Sequence, residues 1–336
     1  MSRAHQQAGR LLTIACMVFT GCGGSPGAGE TKEIRIPKGA GGVGFLPLLV
    51  MEKYRLIEKH ADVSVKWLDV GGPAVVNDAL LSGSADFIAA GPPAFLTLWD
   101  RTRDSAKVTG VAALTSLPMY LNTSNPRFKS LEDLTPQDKI AVTAVKVSIP
   151  AIIMQMYASQ KYGAAEATRF DKYTVSMTHP DGVVALVSGS GAITAHFTSP
   201  PFHQREIEDP RVHTVMTSDD VMGGSTTFTM VSTTSAFRAK NPKAYAAVLA
   251  AIEEANGMIV NDKKMAAELL VASGDGGGLS AEKVEQMLQS AEIKFTTTPE
   301  NTLKYAEFMH GIGSLKNRPA SWKELFFPEI HGAPGS

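Results

Sequence analysis

The sequence has almost no cysteine: two in 336 residues, Cys16 and Cys22. Both lie near the N-terminus, so the rest of the chain has no thiol to pair as a disulfide, ligate a metal or act as a nucleophile. A dominant charge sign is lacking too. The chain holds 32 Lys+Arg against 33 Asp+Glu, and no Lys/Arg-rich block occurs. That excludes the concentrated basic face nucleic acid requires. Beyond the N-terminal segment no apolar run is long and uncharged enough to span a bilayer, which takes about 20 residues. A G-x-S-x-G elbow between a strand and a helix, H-E-x-x-H, a P-loop and spaced His/Cys sets are all absent, so no catalytic residues, no cofactor and no metal site are expected.

What is present begins with the leader. Arg3 and Arg10 precede an apolar run, Leu11 to Phe19, that stops at Thr20-Gly21-Cys22-Gly23-Gly24. Positive charge, a short apolar core and small residues read as a secretory signal peptide over 1–21. Phe19-Thr20-Gly21-Cys22 resembles a bacterial lipobox, which makes Cys22 the expected lipidation site. Residues 22–32 are rich in Gly, Ser and polar side chains and read as the lipid anchor and a flexible tether. The expected location is the periplasm or cell surface, with the protein held to the membrane by its N-terminal lipid.

From Glu33 the chain alternates short apolar strands with helical patterns, which implies βαβ units and an α/β fold. One stretch recurs. ALLSGSADFIAAGPPAF (79–95) is echoed by ALVSGSGAITAHFTSPPF (185–202). Each reads as helix, Gly turn, buried strand, loop and a Pro-Pro helix start, with the two extra residues of the second copy assigned to the loop after its strand. The echo predicts two lobes of similar construction, 33–118 and 119–232. Hinge crossings are expected near Leu117–Tyr120 and Thr229–Thr234. Ligands of open α/β sheets bind outside the carboxyl ends of the strands, so a cleft between the lobes is the expected site.

Five stretches then carry a family resemblance: GGVGFLPLLVMEKYRLIEK (41–59), GGPAVVNDALLSGSADF (71–87), SLEDL with KIAVT (130–143), HPDGVVALVSGSGAIT (179–194) and FRAKNPKAYAAVLAAIEEANGMI (237–259). In this order the chain resembles the nitrate/sulfonate/taurine-type ABC solute-binding proteins, a group with relatives that bind thiamine-pyrimidine precursors. The resemblance implies a type II periplasmic-binding-protein-like fold whose C-terminal helices, 233–331, return to the first lobe, and a monomer that captures a small anion by lobe closure. Its partners would be an ABC permease and ATPase. A neutral, aromatic or pyrimidine-type ligand, or a thiamine-precursor-type enzyme, is the alternative. The acidic residue after the first Gly turn is Asp86; the second copy has Ala192 there.

The candidate ligand residues follow from the strand-end loops. Gly42, Val43, Gly44 and Phe45 lie between a strand and a helix start, where bare N–H groups and the helix dipole suit an anion. Gly91 and Pro92 end the first echoed strand; His196, Thr198 and Ser199 end the second. Ser148 reads as a helix N-cap whose hydroxyl accepts a backbone N–H, with Ile149 beside it. Phe45 and Phe197 are the aromatics best placed to stack on a ring. His179 and His203 have weaker cases.

Overall fold

The structure is a computed structural model and describes residues 29–39, 41–69 and 73–336; the proposed signal peptide and Cys22 lie outside them. The first lobe opens with β1 (Glu33–Pro37), α1 (Leu46–Tyr54), α2 (Leu56–His60), β2 (Ser64–Leu68), α3 (Pro73–Leu81), β3 (Phe87–Ala90), α4 (Pro92–Arg101) and β4 (Val108–Ser116). The second holds β5 (Tyr120–Thr123), β6 (Ile140–Val142), α5 (Ile149–Tyr162), β7 (Thr174–Ser176), α6 (His179–Val187), β8 (Ala195–Thr198), α7 (Phe202–Ile207), β9 (His213–Thr217) and α8 (Ser218–Met222). The chain then returns through β10 (Thr227–Thr234), α9 (Ser235–Lys240), α10 (Pro242–Asn261), α11 (Lys263–Ala272), α12 (Ala281–Leu288), β11 (Lys294–Phe295) and α13 (Thr302–Gly311).

The two lobes repeat one strand order. The second sheet runs β7-β6-β8-β5-β9. In the first lobe β1 and β2 pair in parallel, and a second ladder runs β11-β4-β10-β3. Asp86 joins the two: its N–H donates to the Arg35 carbonyl at 2.9 Å, setting β3 beside β1. Each lobe thus reads second, first, third, crossing and fourth strand. The crossing strand, β10 or β5, is antiparallel to both neighbours and arrives from the other lobe.

The echo is real, but its register differs from the sequence expectation. Phe87 and Ala195 begin the third strands and Pro92 and Pro200 follow them, both pairs 108 apart, whereas Gly83 and Gly189 are 106 apart. The two extra residues therefore fall between the Gly turn and the strand, not after it. The counterpart of Asp86 is Thr194, not Ala192. Asp86 accepts from Arg35 N–H at 2.8 Å and pairs with its guanidinium through Nε and a terminal nitrogen. Thr194 Oγ1 accepts from Lys139 N–H at 3.1 Å. The crossing strands complete the match: Thr233 Oγ1 donates to the Asp86 carbonyl and Thr123 Oγ1 to the Thr194 carbonyl, each at 2.6 Å.

Two further expectations change. The outward crossing does run through Leu117–Met119, between β4 and β5. The return crossing is Gly223–Thr226, because β10 already lies between β3 and β4; residues 227–232 pair in the first sheet rather than the second. Met119 N–H donates to Ser218 Oγ at 2.9 Å and Ser218 N–H to the Met119 carbonyl at 2.8 Å, tying the outward crossing to the start of α8. The end of the expected tether is also docked. Glu30 accepts from Lys243 N–H at 2.8 Å, capping α10, and Thr31 N–H donates to Asn241 Oδ1 at 2.8 Å. Among the described residues no helix is long and apolar enough to cross a membrane.

The junction residues set stability in proportion to what they satisfy. Asp86→Ala strands the Arg35 guanidinium and a strand N–H and is expected to lower unfolding free energy by about 2 kcal/mol; Thr194→Ala, a neutral contact, by about 1 kcal/mol. Urea unfolding of both variants measures the difference, and equal small losses would remove the junction from the account.

Candidate functional site

A cavity of about 640 Å³ lies between the lobes at the carboxyl ends of the strands. From the first lobe, β1 delivers Lys38, Gly39 and Gly41, and β3 delivers Gly91 with Pro93 and Ala94. From the second, β6 is followed by Thr143, and α5 presents Ser148, Ile149 and Pro150. β7 is followed by Thr178 and His179. Phe228 and Thr229 enter from β10, and Ser273 and Asp275 from the loop after α11.

Of the residues singled out from sequence, Phe45, Gly91, Ser148, Ile149 and the weaker candidate His179 line this cavity. Gly42, Val43 and Gly44 do not. Val43 N–H donates to the Pro200 carbonyl at 3.3 Å, and a Cβ on Gly42 would sit 3.2 Å from Phe202, so these two residues form a contact between lobes. The Gly44 carbonyl accepts from Thr115 Oγ1 at 3.1 Å. Pro92 is the buried first residue of α4. His196, Thr198 and Ser199 are buried beneath the cleft, and Phe197 is core. Ser148 occupies the N-cap position of α5, but its hydroxyl donates to the Ala144 carbonyl at 2.6 Å instead of accepting. The first turn of α5 is thereby left without a side-chain cap at the cavity wall.

Sequence reasoning missed the charged wall. Lys38 pairs with Glu52 at 3.0 Å and lies 3.8 Å from Asp69. The Glu52 hydrogen bond leads the raising of its pKa, so this ammonium is already engaged. Asp275 is half-buried without a cationic partner among the described residues, and burial raises its pKa above the ordinary carboxylate range. The lining thus sets one paired cation against three carboxylates, all on lobe-1 or C-terminal elements, whereas the second lobe offers neutral donors. The apolar face is formed by Phe45, Phe228 and Ile149; Phe45 and Phe228 meet edge-on at 6.4 Å and 78°. The visible signals were Asp275 in the Gly-rich loop 274–278 and the β-rich run around Thr229, neither of which sequence placed at the cleft.

Two α/β lobes of matching strand order, joined by paired crossings over a cleft at their strand ends, make the periplasmic-binding-protein fold. Solved structures share it. The alkanesulfonate-binding protein SsuA from Xanthomonas axonopodis pv. citri, bound to MOPS, superposes with a TM-score of 0.66 at 16% identity, covering 88% of this chain and 99% of that one. The periplasmic aliphatic sulphonate binding protein SsuA from Escherichia coli gives 0.62 at 17%, covering 89% and 92%. The periplasmic nitrate-binding protein NrtA from Synechocystis PCC 6803 gives 0.65 at 15%, covering 88% and 84%. No family model matches the sequence, and no curated protein does.

Gly91 sits where the lobes approach: a Cβ there would lie 2.8 Å from Ile149 Cδ1 and 3.3 Å from the Phe228 carbonyl. Gly91→Val is expected to hold the lobes apart while each folds. Small-angle scattering should show a larger radius of gyration with unchanged far-UV circular dichroism; an unchanged radius argues against closure at this point.

Proposed function

We propose that this chain is the extracytoplasmic solute-binding component of an ABC importer, held by lipid on Cys22, and that it captures a small organic solute unchanged by closing its lobes. The fold shared with sulfonate- and nitrate-binding periplasmic proteins supports the class. The observation that carries the ligand reading is the polarity of the cleft. An inorganic anion such as nitrate would meet a lysine already held by Glu52 and a wall of carboxylates. A zwitterion of the taurine kind fits both walls. Its sulfonate would take donors at the uncapped start of α5 and at Thr143, and its ammonium would face Asp275.

Calorimetry and thermal shift with taurine, ethanesulfonate, nitrate and cytosine test this. A ligand at a hundredfold excess over Kd stabilises the folded state by about 2.7 kcal/mol, so binding is readily seen. Taurine is expected to bind more tightly than ethanesulfonate, and nitrate least; nitrate equal to taurine would exclude the acidic wall from the site. Cytosine binding alone would favour the pyrimidine-type alternative, stacked on the Phe45 and Phe228 wall, and a chemically altered product would mark an enzyme.

A pH series carries a second expectation. Burial favours protonated Asp275 in the ligand-free protein, so this group adds folded-state stability as pH falls through its raised pKa. An ammonium ligand favours the carboxylate instead. Taurine affinity should therefore weaken as acid protonates Asp275, while the sulfonate stays ionised. Asp275→Asn should bind taurine weakly at neutral pH and with a flatter pH profile.

A further inference from the structure

His179 opens α6 at the cleft, and a chain of buried polar groups runs behind it. His179 Nδ1 lies 3.1 Å from His196 Nε2, and His196 Nδ1 lies 2.5 Å from Glu206 Oε1. Glu206 Oε2 accepts from Asn122 Nδ2 at 2.8 Å. The same amide nitrogen lies 3.1 Å from His203 Nδ1, and Asn122 Oδ1 accepts from Thr214 Oγ1 at 2.8 Å. His196, Glu206 and Asn122 are wholly buried. The close approach of α6 depends on Gly182, where a Cβ would lie 2.6 Å from His196 Nε2.

Burial fixes the protons along this chain. Thr198 is fully buried, and its hydroxyl meets His179 Nδ1 at 3.3 Å, a contact that follows whichever tautomer the shorter His196 contact sets. Burying a net charge is costly, so the Glu206–His196 pair is neutral as a unit, either as carboxylate with imidazolium or as acid with imidazole. In both arrangements His196 Nε2–H points at His179 Nδ1, and His179 carries its own proton on Nε2. Charge on His179 itself is opposed by burial and by neighbouring His196, which hold its pKa well below the usual imidazole value. His203 is likewise pushed down to about 4 by burial, and Asp181, exposed on α6, is bound to Thr178. His179 Nε2 makes no hydrogen bond to the described protein, and the residue, 8% exposed, lines the cleft.

We propose that His179 is a specificity-determining, permanently neutral hydrogen-bond donor to an acceptor oxygen of the ligand, and that His196 and Glu206 are positioning residues that lock its Nε2–H tautomer. The relay replaces a cation in holding the ligand's head group. The ligand half of this statement rests on the solute-receptor reading; the tautomer half does not.

Long-range ¹H–¹⁵N spectra of the imidazoles in the full ligand-free chain test the tautomer. His179 should show protonated Nε2 and no titration between about pH 5 and about pH 8, the range in which an ordinary histidine changes charge. A proton on Nδ1, or an ordinary titration, overturns the relay. Glu206→Gln should leave His179 in the Nε2–H form, because Asn122 Nδ2 claims the amide oxygen and the amide nitrogen then donates to His196 Nδ1, which keeps the His196 proton on Nε2; a switch to the Nδ1–H form overturns the relay. Should that variant fail to fold, the wild-type spectrum still decides. Taurine isotherms test the contact. His179→Phe, which keeps the stacking on Phe202 at 5.4 Å but leaves the buried His196 Nε2–H without its acceptor, should melt lower and, below that melting temperature, bind about tenfold more weakly, and His179→Gln should recover most of both losses. Wild-type affinity in His179→Phe overturns the ligand contact. If the wild-type protein ignores taurine, the zwitterion reading fails while the spectra still judge the relay.

Discussion

Everything at the cleft depends on one junction made twice: the residue before the third strand of each lobe must hold that strand beside the first. Asp86 does this with Arg35 and Thr194 does it with Lys139, and in both lobes a threonine from the crossing strand bonds the carbonyl of the junction residue. The register of the third strand follows, and with it the loop that strand delivers to the cleft. A sheet has period two, so a slip by one residue would turn each side chain of that strand to the other face. The chemistry differs between lobes while the geometry is the same. An ion pair can serve at the first junction because solvent reaches the Arg35 head, whose side chain is 34% exposed. At the second a hydroxyl answers the same N–H without a charge.

The alternation of strands and helices and the 79–95/185–202 echo were legible because they rest on period and on turn chemistry, which are local. The register of the echo was not. Matching the SGS turns made Ala192 the counterpart of Asp86, yet the structure keeps strand and Pro-Pro start in phase and lets the turn lengthen. The return crossing was misread for a related reason: Thr227 to Ser232 reads as a strand in either lobe, and only pairing with β3 and β4 decides which.

Site residues divide along the same line. Strand-end position predicted the neighbourhood, and Phe45, Gly91, Ser148 and Ile149 do line the cavity. Direction could not be read. His196 and Thr198 share one face of β8, which points under α6 rather than into the cleft, as successive side chains of a strand alternate. Gly42 and Val43 turned out to meet the other lobe. Lys38, Glu52 and Asp275 converge from three separate segments, and a convergence of that kind leaves no spacing signal in one sequence.

On the proposed reading, a ligand adds to weak polar contacts across the cleft. Among the described contacts between lobes are Val43 N–H to the Pro200 carbonyl, Tyr120 to Glu292 at 3.0 Å, and the exposed ion pair of Lys283 with Glu208. Exposed pairs of this sort contribute about 0–1 kcal/mol. A ligand that spans the cleft therefore controls the equilibrium in proportion to its preference for the closed form. The division of polarity makes spanning necessary: carboxylates stand on one wall and neutral donors on the other, so a molecule satisfying only one leaves the other unpaired. A lysine on the second wall would bind more anions, but its mobile charge would also pair with Asp275 and close the empty cleft. A neutral imidazole backed by a buried, fully bonded network offers a donor in a fixed direction without that competing ion pair.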